Sequence, residues 1–244
     1  MRTTRIHLAT PLASGQELVL PAGPSAHLLR VLRLRTGAIL TLFDGRGGEY
    51  VAELTAAGKA GARLQVGEHL AIERESPLRL ALLQAVVRGE RMDFIVQKAT
   101  ELGVQRIVPL TCEFGVVRLE ATALRRRAEH WRAVAIAACE QCGRNRVPEI
   151  TPIREFADAC AGSEAGVKLL LVPHALAALA ALARGGSAVT LLVGPEGGLS
   201  GREQLLAQRN GFQPCGLGPR ILRAETAPLA ALAVLQALAG DLAG

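Results

Sequence analysis

Apolar positions recur along this chain in two rhythms. Over the first 74 residues, short apolar runs at 17–20, 38–43, 49–54 and 62–66 alternate with turn residues, among them Asp44-Gly45-Arg46-Gly47-Gly48. That spacing predicts a small β-rich domain, interrupted by one short helix over 25–34. The string Glu73-Arg74-Glu75-Ser76-Pro77 then breaks the pattern with charge and a proline. Beyond it, strand and helix signals alternate. Strands are expected at 80–87, 106–110, 167–172 and 189–193, and helices at 92–102, 121–142 and 175–183. Gly103 is placed to cap the first of these helices. Such alternation predicts a largely parallel sheet covered by helices. Two domains follow, 1–74 and 75–244, with no internal repeat.

The stretch 189–227 departs most from ordinary composition. An apolar run ends in Gly194-Pro195-Glu196-Gly197-Gly198, and Ser200 stands three residues before Glu203. That is the capping-box spacing, which starts a helix. A second apolar approach, 212–217, leads into Gly218-Pro219-Arg220-Ile221-Leu222-Arg223, and Glu225-Thr226 opens a last helix rich in alanine and leucine. Two glycine-bearing loops thus follow two strands, where open α/β sheets place ligands and where glycine lets backbone approach them. The chain has no P-loop string, and its Gly216-x-Gly218 lacks the third glycine of a dinucleotide fingerprint. Backbone amides, one carboxylate and small residues suit a nucleoside-like or amino-acid-like group better than a triphosphate.

Charge adds a partner. There are 28 Lys+Arg against 22 Asp+Glu, a net +6 with a pI near 9.5. This favours an anionic partner, and all the basic residues except Lys59, Lys98 and Lys168 are arginines. Arg2, Arg5, Arg30 and Arg33 lie in the first domain. Arg144 and Arg146 follow the long helix. Both groups are candidates for phosphate contact, with a solvated basic face as the alternative for the first and a helix-end charge for the second. The five cysteines include one CxxC, Cys139 to Cys142, without the second pair that zinc needs. No metal site is expected, and reduced cysteines fit the cytoplasm. The apolar runs 175–183 and 227–239 are too short to span a bilayer, so no membrane partner is expected.

The strings LLVGPEGGLS (191–200) and LGPRILRAET (217–226) resemble the knotted SPOUT methyltransferases. With HLLRVLRL (27–34), LFDGRGGEY (42–50), RGERMDFIVQKATELGV (88–104) and EQCGRNRVPEI (140–150), nearly the whole chain resembles the ribosomal RNA small subunit methyltransferase E family. The resemblance implies a PUA-like RNA-binding β-barrel before a SPOUT-type trefoil-knotted parallel-sheet domain. It implies methyl transfer from S-adenosylmethionine to N3 of a uridine in 16S ribosomal RNA, free or in the small ribosomal subunit. Its cofactor loops map onto Leu171, Val172, Pro173 and His174, onto Gly194, Pro195, Glu196, Gly197 and Gly198, and onto Leu217, Gly218, Leu222 and Thr226. It also implies a homodimer paired through the cofactor domains, for which the apolar final helix is suited.

For the chemistry, Arg220 and Arg223 are candidates to stabilise charge on the uracil carbonyls. Glu225 is a candidate base if its pKa is raised, or else a group that orients an arginine. The proton acceptor stays open on the sequence alone. So do two other readings: a non-catalytic RNA-binding relative, and a SPOUT enzyme acting on ribose 2′-OH or on tRNA.

Overall fold

The computed structural model describes residues 4–58, 61–115, 121–163, 166–183 and 187–242. In the first part of the chain, β1 (Arg5–His7), β2 (Glu17–Val19), β3 (Ile39–Phe43), β4 (Glu49–Gly58) and β5 (Gly61–Leu70) form one mixed sheet in the order β1-β3-β4-β5-β2. The β1/β3 pair is parallel and the others antiparallel. Alternation sets the faces: in β5, Ala62, Leu64 and Val66 are buried while Arg63 between them is exposed. These residues pack with Leu28, Leu40, Leu42 and Leu54 into one core.

The expected helix over 25–34 starts earlier and changes type. Helix α1 (Ala22–Ala26) holds Pro24 in its first turn, where the missing N–H costs nothing. A π-helical turn, His27–Val31, follows and buries Leu28 completely. Arg33 ends it with a φ of 53°.

The second sheet is parallel throughout. It runs β12 (Gln213–Cys215), β10 (Val167–Leu171), β11 (Ala188–Val193), β6 (Arg79–Ala85), β7 (Arg106–Thr111) and β8 (Glu149–Ile150), with β9 (Arg154–Glu155) also pairing β7. The central strands are apolar along their length, as burial on both faces requires. Helices α2 (Glu90–Glu101), α3 (Ala121–Cys142), α4 (Phe156–Ala161), α5 (Leu179–Leu182), α6 (Gly201–Arg209) and α7 (Thr226–Ala239) connect and follow the strands. Gly103 takes the left-handed conformation just past α2, at φ 79°. Among the described residues no helix is long and apolar enough to cross a membrane.

Two compact units result. One comprises Met1–Glu75 with Cys139–Val147, and the other Ser76–Ala138 with Pro148–Gly244. The first therefore takes in a segment that the uninterrupted boundary at 74 assigns to the second. The reason is a buried ion-pair network within that unit. Glu49, 7% exposed, accepts from Arg5 at 2.6 Å, Arg74 at 3.0 Å and Asn145 at 3.1 Å. Arg144, 4% exposed, grips both oxygens of Glu75 at 2.9 and 2.6 Å.

Candidate active site

The site is built by three parallel strands that stop at one level. Leu171 of β10 stands in register with Val193 of β11 and with Cys215 of β12. The chain leaving each strand therefore enters the same space. The first exit is 172–178, and of the run 175–183 that reads as helix in the sequence only Leu179–Leu182 coil. Its backbone is held against the third exit instead: Gly216 N–H donates to the Ala177 carbonyl at 2.9 Å, and Leu179 N–H to the Gly216 carbonyl at 3.1 Å. Gly216 suits this approach, since a Cβ there would meet the Ala175 carbonyl at 3.3 Å. Tertiary pairing overrides the helix propensity of the Ala/Leu run.

The second exit ends at α6. Ser200 Oγ accepts from Glu203 N–H at 3.2 Å, and Ser200 N–H donates back to Glu203 Oε2 at 2.9 Å. The capping box read from spacing is present. It pins the glycine loop from its far side.

Between the exits lies a cavity of about 340 Å³. It is lined by Leu171, Val172 and Pro173, by Gly194, Pro195, Glu196, Gly197 and Gly198, and by Leu217, Gly218, Arg220 and Leu222. All of these were singled out in the sequence. Four others do not line it: His174, Arg223, Glu225 and Thr226. His174 is exposed and holds the left-handed backbone, φ 59°, that turns the first exit. Val193, Leu199, Gln204, Ile221, Ala224 and Ala227 complete the lining; five of them are apolar, which alone does not separate them from core.

Two of the glycines have specific work. Gly218 sits at φ 91°, which disfavours any side chain. Gly197 has another reason for lacking a side chain: a Cβ there would come 3.1 Å from Phe114 Cβ, in the turn after β7. Glu196 is tied to α2 through Arg91 Nη1 at 3.1 Å, a half-exposed pair of small energetic weight. Arg220 and Arg223 are exposed. Neither makes a side-chain hydrogen bond or ion pair among the described residues. Among the described residues Glu225 Oε2 is buried and without a hydrogen-bond partner; its chain neighbour Ala224 is on the cavity wall.

The candidate RNA arginines separate into three groups. Arg30 and Arg33 are exposed. Arg146 is half-exposed and donates to Glu73 at 2.6 Å. Arg5 and Arg144 are buried in the network around Glu49 and Glu75, and reaching a phosphate would abandon a buried carboxylate. We therefore remove these two from the phosphate contacts. Arg2 lies outside the described residues. Of the CxxC, Cys139 is buried and burial pushes its thiol up to about 12, so at neutral pH it is a thiol packed in a core.

The comparisons agree along the whole chain. A family model described as an RNA methyltransferase domain matches residues 74–236, and one described as an RNA methyltransferase PUA domain matches 25–67. The ribosomal RNA small subunit methyltransferase E of Buchnera aphidicola subsp. Schizaphis graminum is 32% identical, covering 99% of this chain and 98% of its own length. That of Bacillus subtilis is 31% identical over 86% of this chain and 85% of its own. Among solved structures, the Neisseria gonorrhoeae ribosomal RNA small subunit methyltransferase E, bound to S-adenosyl methionine, superposes with a TM-score of 0.92. It is 38% identical and covers 99% of this chain and 100% of its own. A methyltransferase from Legionella pneumophila, in complex with the cofactor SAM, gives a TM-score of 0.95 at 38% identity, with 99% and 100% coverage. The chain belongs to the ribosomal RNA small subunit methyltransferase E family.

Proposed function

We propose that this chain transfers the methyl group of S-adenosylmethionine to N3 of a uridine in 16S ribosomal RNA. The observation that carries this is the convergence of three strand exits on one cavity. The residues fit the cofactor. Leu171, Val172, Leu217 and Leu222 offer an apolar slot for a purine, the loops offer backbone groups for its polar edges, and Glu196 places a carboxylate on the wall for a cationic group. The volume lies within the range of small-molecule sites.

When bound, the cofactor supplies a methyl group already activated by a sulfonium, and its loss leaves a neutral thioether. The chain's residues have three tasks: to hold N3 in line with the methyl carbon, to accept the N3 proton, and to stabilise the charge that its departure spreads over the two carbonyl oxygens. Arg220 on the cavity wall and Arg223 three residues further along the chain supply donors for those oxygens. Glu225 does not line the cavity and its inner oxygen is buried, so the N3 proton is not assigned to it.

This reading includes the trefoil knot of the family. It is supported by the strand order, in which β12 returns to the far side of β10, and by the pinning of 216 against 177–179. It also includes action in the cytoplasm and a homodimer. Within the second unit Leu176, Ile221 and Leu238 are exposed, Leu176 fully so, while Ala231, Leu232 and Leu235 of α7 are buried inside the chain. The final helix therefore turns one face inward, and the dimer would draw on the exposed apolar residues. Light scattering at micromolar protein should give twice the chain mass; a monomeric mass with full activity refutes the dimer. Calorimetry should find one S-adenosylmethionine site per chain, and no measurable binding to the folded protein would refute the site.

A further inference from the structure

Phe114 is 51% exposed, although an aromatic ring gains most from burial. It stands in the four-residue turn 112–115 after β7, closed by Gly115 N–H donating to the Cys112 carbonyl at 2.9 Å. The neighbouring N–H, that of Glu113, donates to Glu203 Oε1 at 2.8 Å. Glu203 is 8% exposed, and its other oxygen accepts from Ser200 N–H. One buried carboxylate thus fixes both the start of α6 and the turn that carries Phe114. The stem of the ring fills the space that a side chain on Gly197 would need, with Cβ 3.1 Å and Cγ 4.0 Å from that position. Gly197 lines the cavity. A half-exposed aromatic is therefore held against Gly197 of the loop that walls the site.

We propose that Phe114 is the platform on which the target base stacks while its N3 is presented to the methyl donor. The inference rests on the reading of the cavity given above. A base must leave its stack before its N3 can be reached, and an aromatic face at the site replaces the lost neighbour. The scarcity of aromatics, 3% of the chain, points towards recognition by arginines and RNA shape. One base needs one ring, however, and the fold holds one next to Gly197 of the cavity wall. Phe94, also well exposed, already has Lys98 Nζ over its ring at 6.0 Å. Stacking tolerates any base, so Phe114 supplies position and affinity, while the choice of uracil falls to groups that meet its edges.

The test uses the full chain with Phe114→Ala, Phe114→Leu and Phe114→Trp. S-adenosylmethionine binding is measured by calorimetry and methyl transfer to 16S ribosomal RNA in single turnover. Cofactor Kd should stay within about twofold in all three. Phe114→Ala and Phe114→Leu should each slow transfer at subsaturating RNA by about tenfold or more, the scale of one lost stacking contact. Phe114→Trp should keep transfer close to wild type, and its added fluorescence should fall on binding RNA. Wild-type transfer by Phe114→Leu overturns the proposal, because leucine preserves bulk but not a flat face. A cofactor Kd that rises as much as transfer falls also overturns it, since Phe114 would then only brace the Gly197 loop. A wild-type chain that neither binds S-adenosylmethionine nor methylates overturns the reading of the site itself, and this inference with it.

Discussion

Glu49 and Glu140 are two carboxylates in one unit whose surroundings act in opposite directions. At Glu49 burial raises the pKa, but hydrogen bonds from Arg5, Arg74 and Asn145 outweigh it and hold the group below its ordinary 4.5. At Glu140 burial dominates, the single bond from His7 N–H does not offset it, and the pKa is raised. The signs follow by linkage. The contribution of Glu49 is present above 4.5 and is lost as pH falls through its lower folded value. That of Glu140 is present below 4.5 and is lost as pH rises through its higher folded value. Urea unfolding of the first unit should therefore show acid destabilisation that is shallower in Glu49→Gln and steeper in Glu140→Gln. At neutral pH Glu49→Ala should cost about 3–5 kcal/mol, because it strands a buried arginine; a loss no larger than that of an exposed control substitution would contradict the network.

Arg5 and Arg144 show what the sequence withholds at this scale. Their charge is legible, but their partners lie 44 and 69 residues away along the chain. Nothing local distinguishes them from Arg30 or Arg33. Arg220 and Arg223 are the opposite case, read from a motif and found exposed. Arg223→Ala should lower single-turnover transfer by about 10²-fold, the cost of one lost charge-stabilising donor, with cofactor Kd unchanged. An unaltered rate would take Arg223 out of the mechanism.

At the scale of elements, legibility follows length and local chemistry. The capping box of α6, the Gly103 cap and the long α3 have signals within a few residues, and each stands where it was expected. Strands β1, β8 and β9 have two or three residues each, too few for a period, and α4 with six residues is too short for a helical one. The run 175–183 is helical only over Leu179–Leu182, because the partner of its first residues, Gly216, is supplied by the fold. The strand-exit loops were legible through their glycines, though one glycine has a different reason from the expected one. Gly197→Val would collide with Phe114 and should disturb the turn after β7 as well as the cavity. Gly218→Val is the cleaner probe, because nothing lies within 4 Å of its added Cβ and the fault is confined to a backbone at φ 91°. Strain of that kind is worth about 1–3 kcal/mol. The variant should stay folded and bind S-adenosylmethionine about tenfold or more weakly. Calorimetry showing an unchanged Kd would mean that this loop does not shape the cofactor site.

At the scale of the molecule, the exposed arginines of the first unit and the cavity of the second suggest two separable tasks. Replacing Arg30 and Arg33 together by alanine should weaken RNA binding and reduce its salt slope by about 1.5, since two fewer phosphate contacts release fewer counterions. Cofactor affinity should not change. A wild-type slope in the double variant would show that the first unit does not grip RNA through these residues.

The central claim is the reaction and its target, and mapping the product tests it most directly. Purified chain is incubated with S-adenosylmethionine and either 16S ribosomal RNA or small subunits lacking their native base methylation. Modified nucleosides are then identified by mass spectrometry and placed by nucleotide. The account predicts one 3-methyluridine at a single position of 16S ribosomal RNA, formed about 10²-fold more slowly by Arg223→Ala and more slowly at subsaturating cofactor by Gly218→Val. Methylation on a ribose 2′-OH, methylation of tRNA instead, or no product from a chain that binds both cofactor and RNA would contradict it.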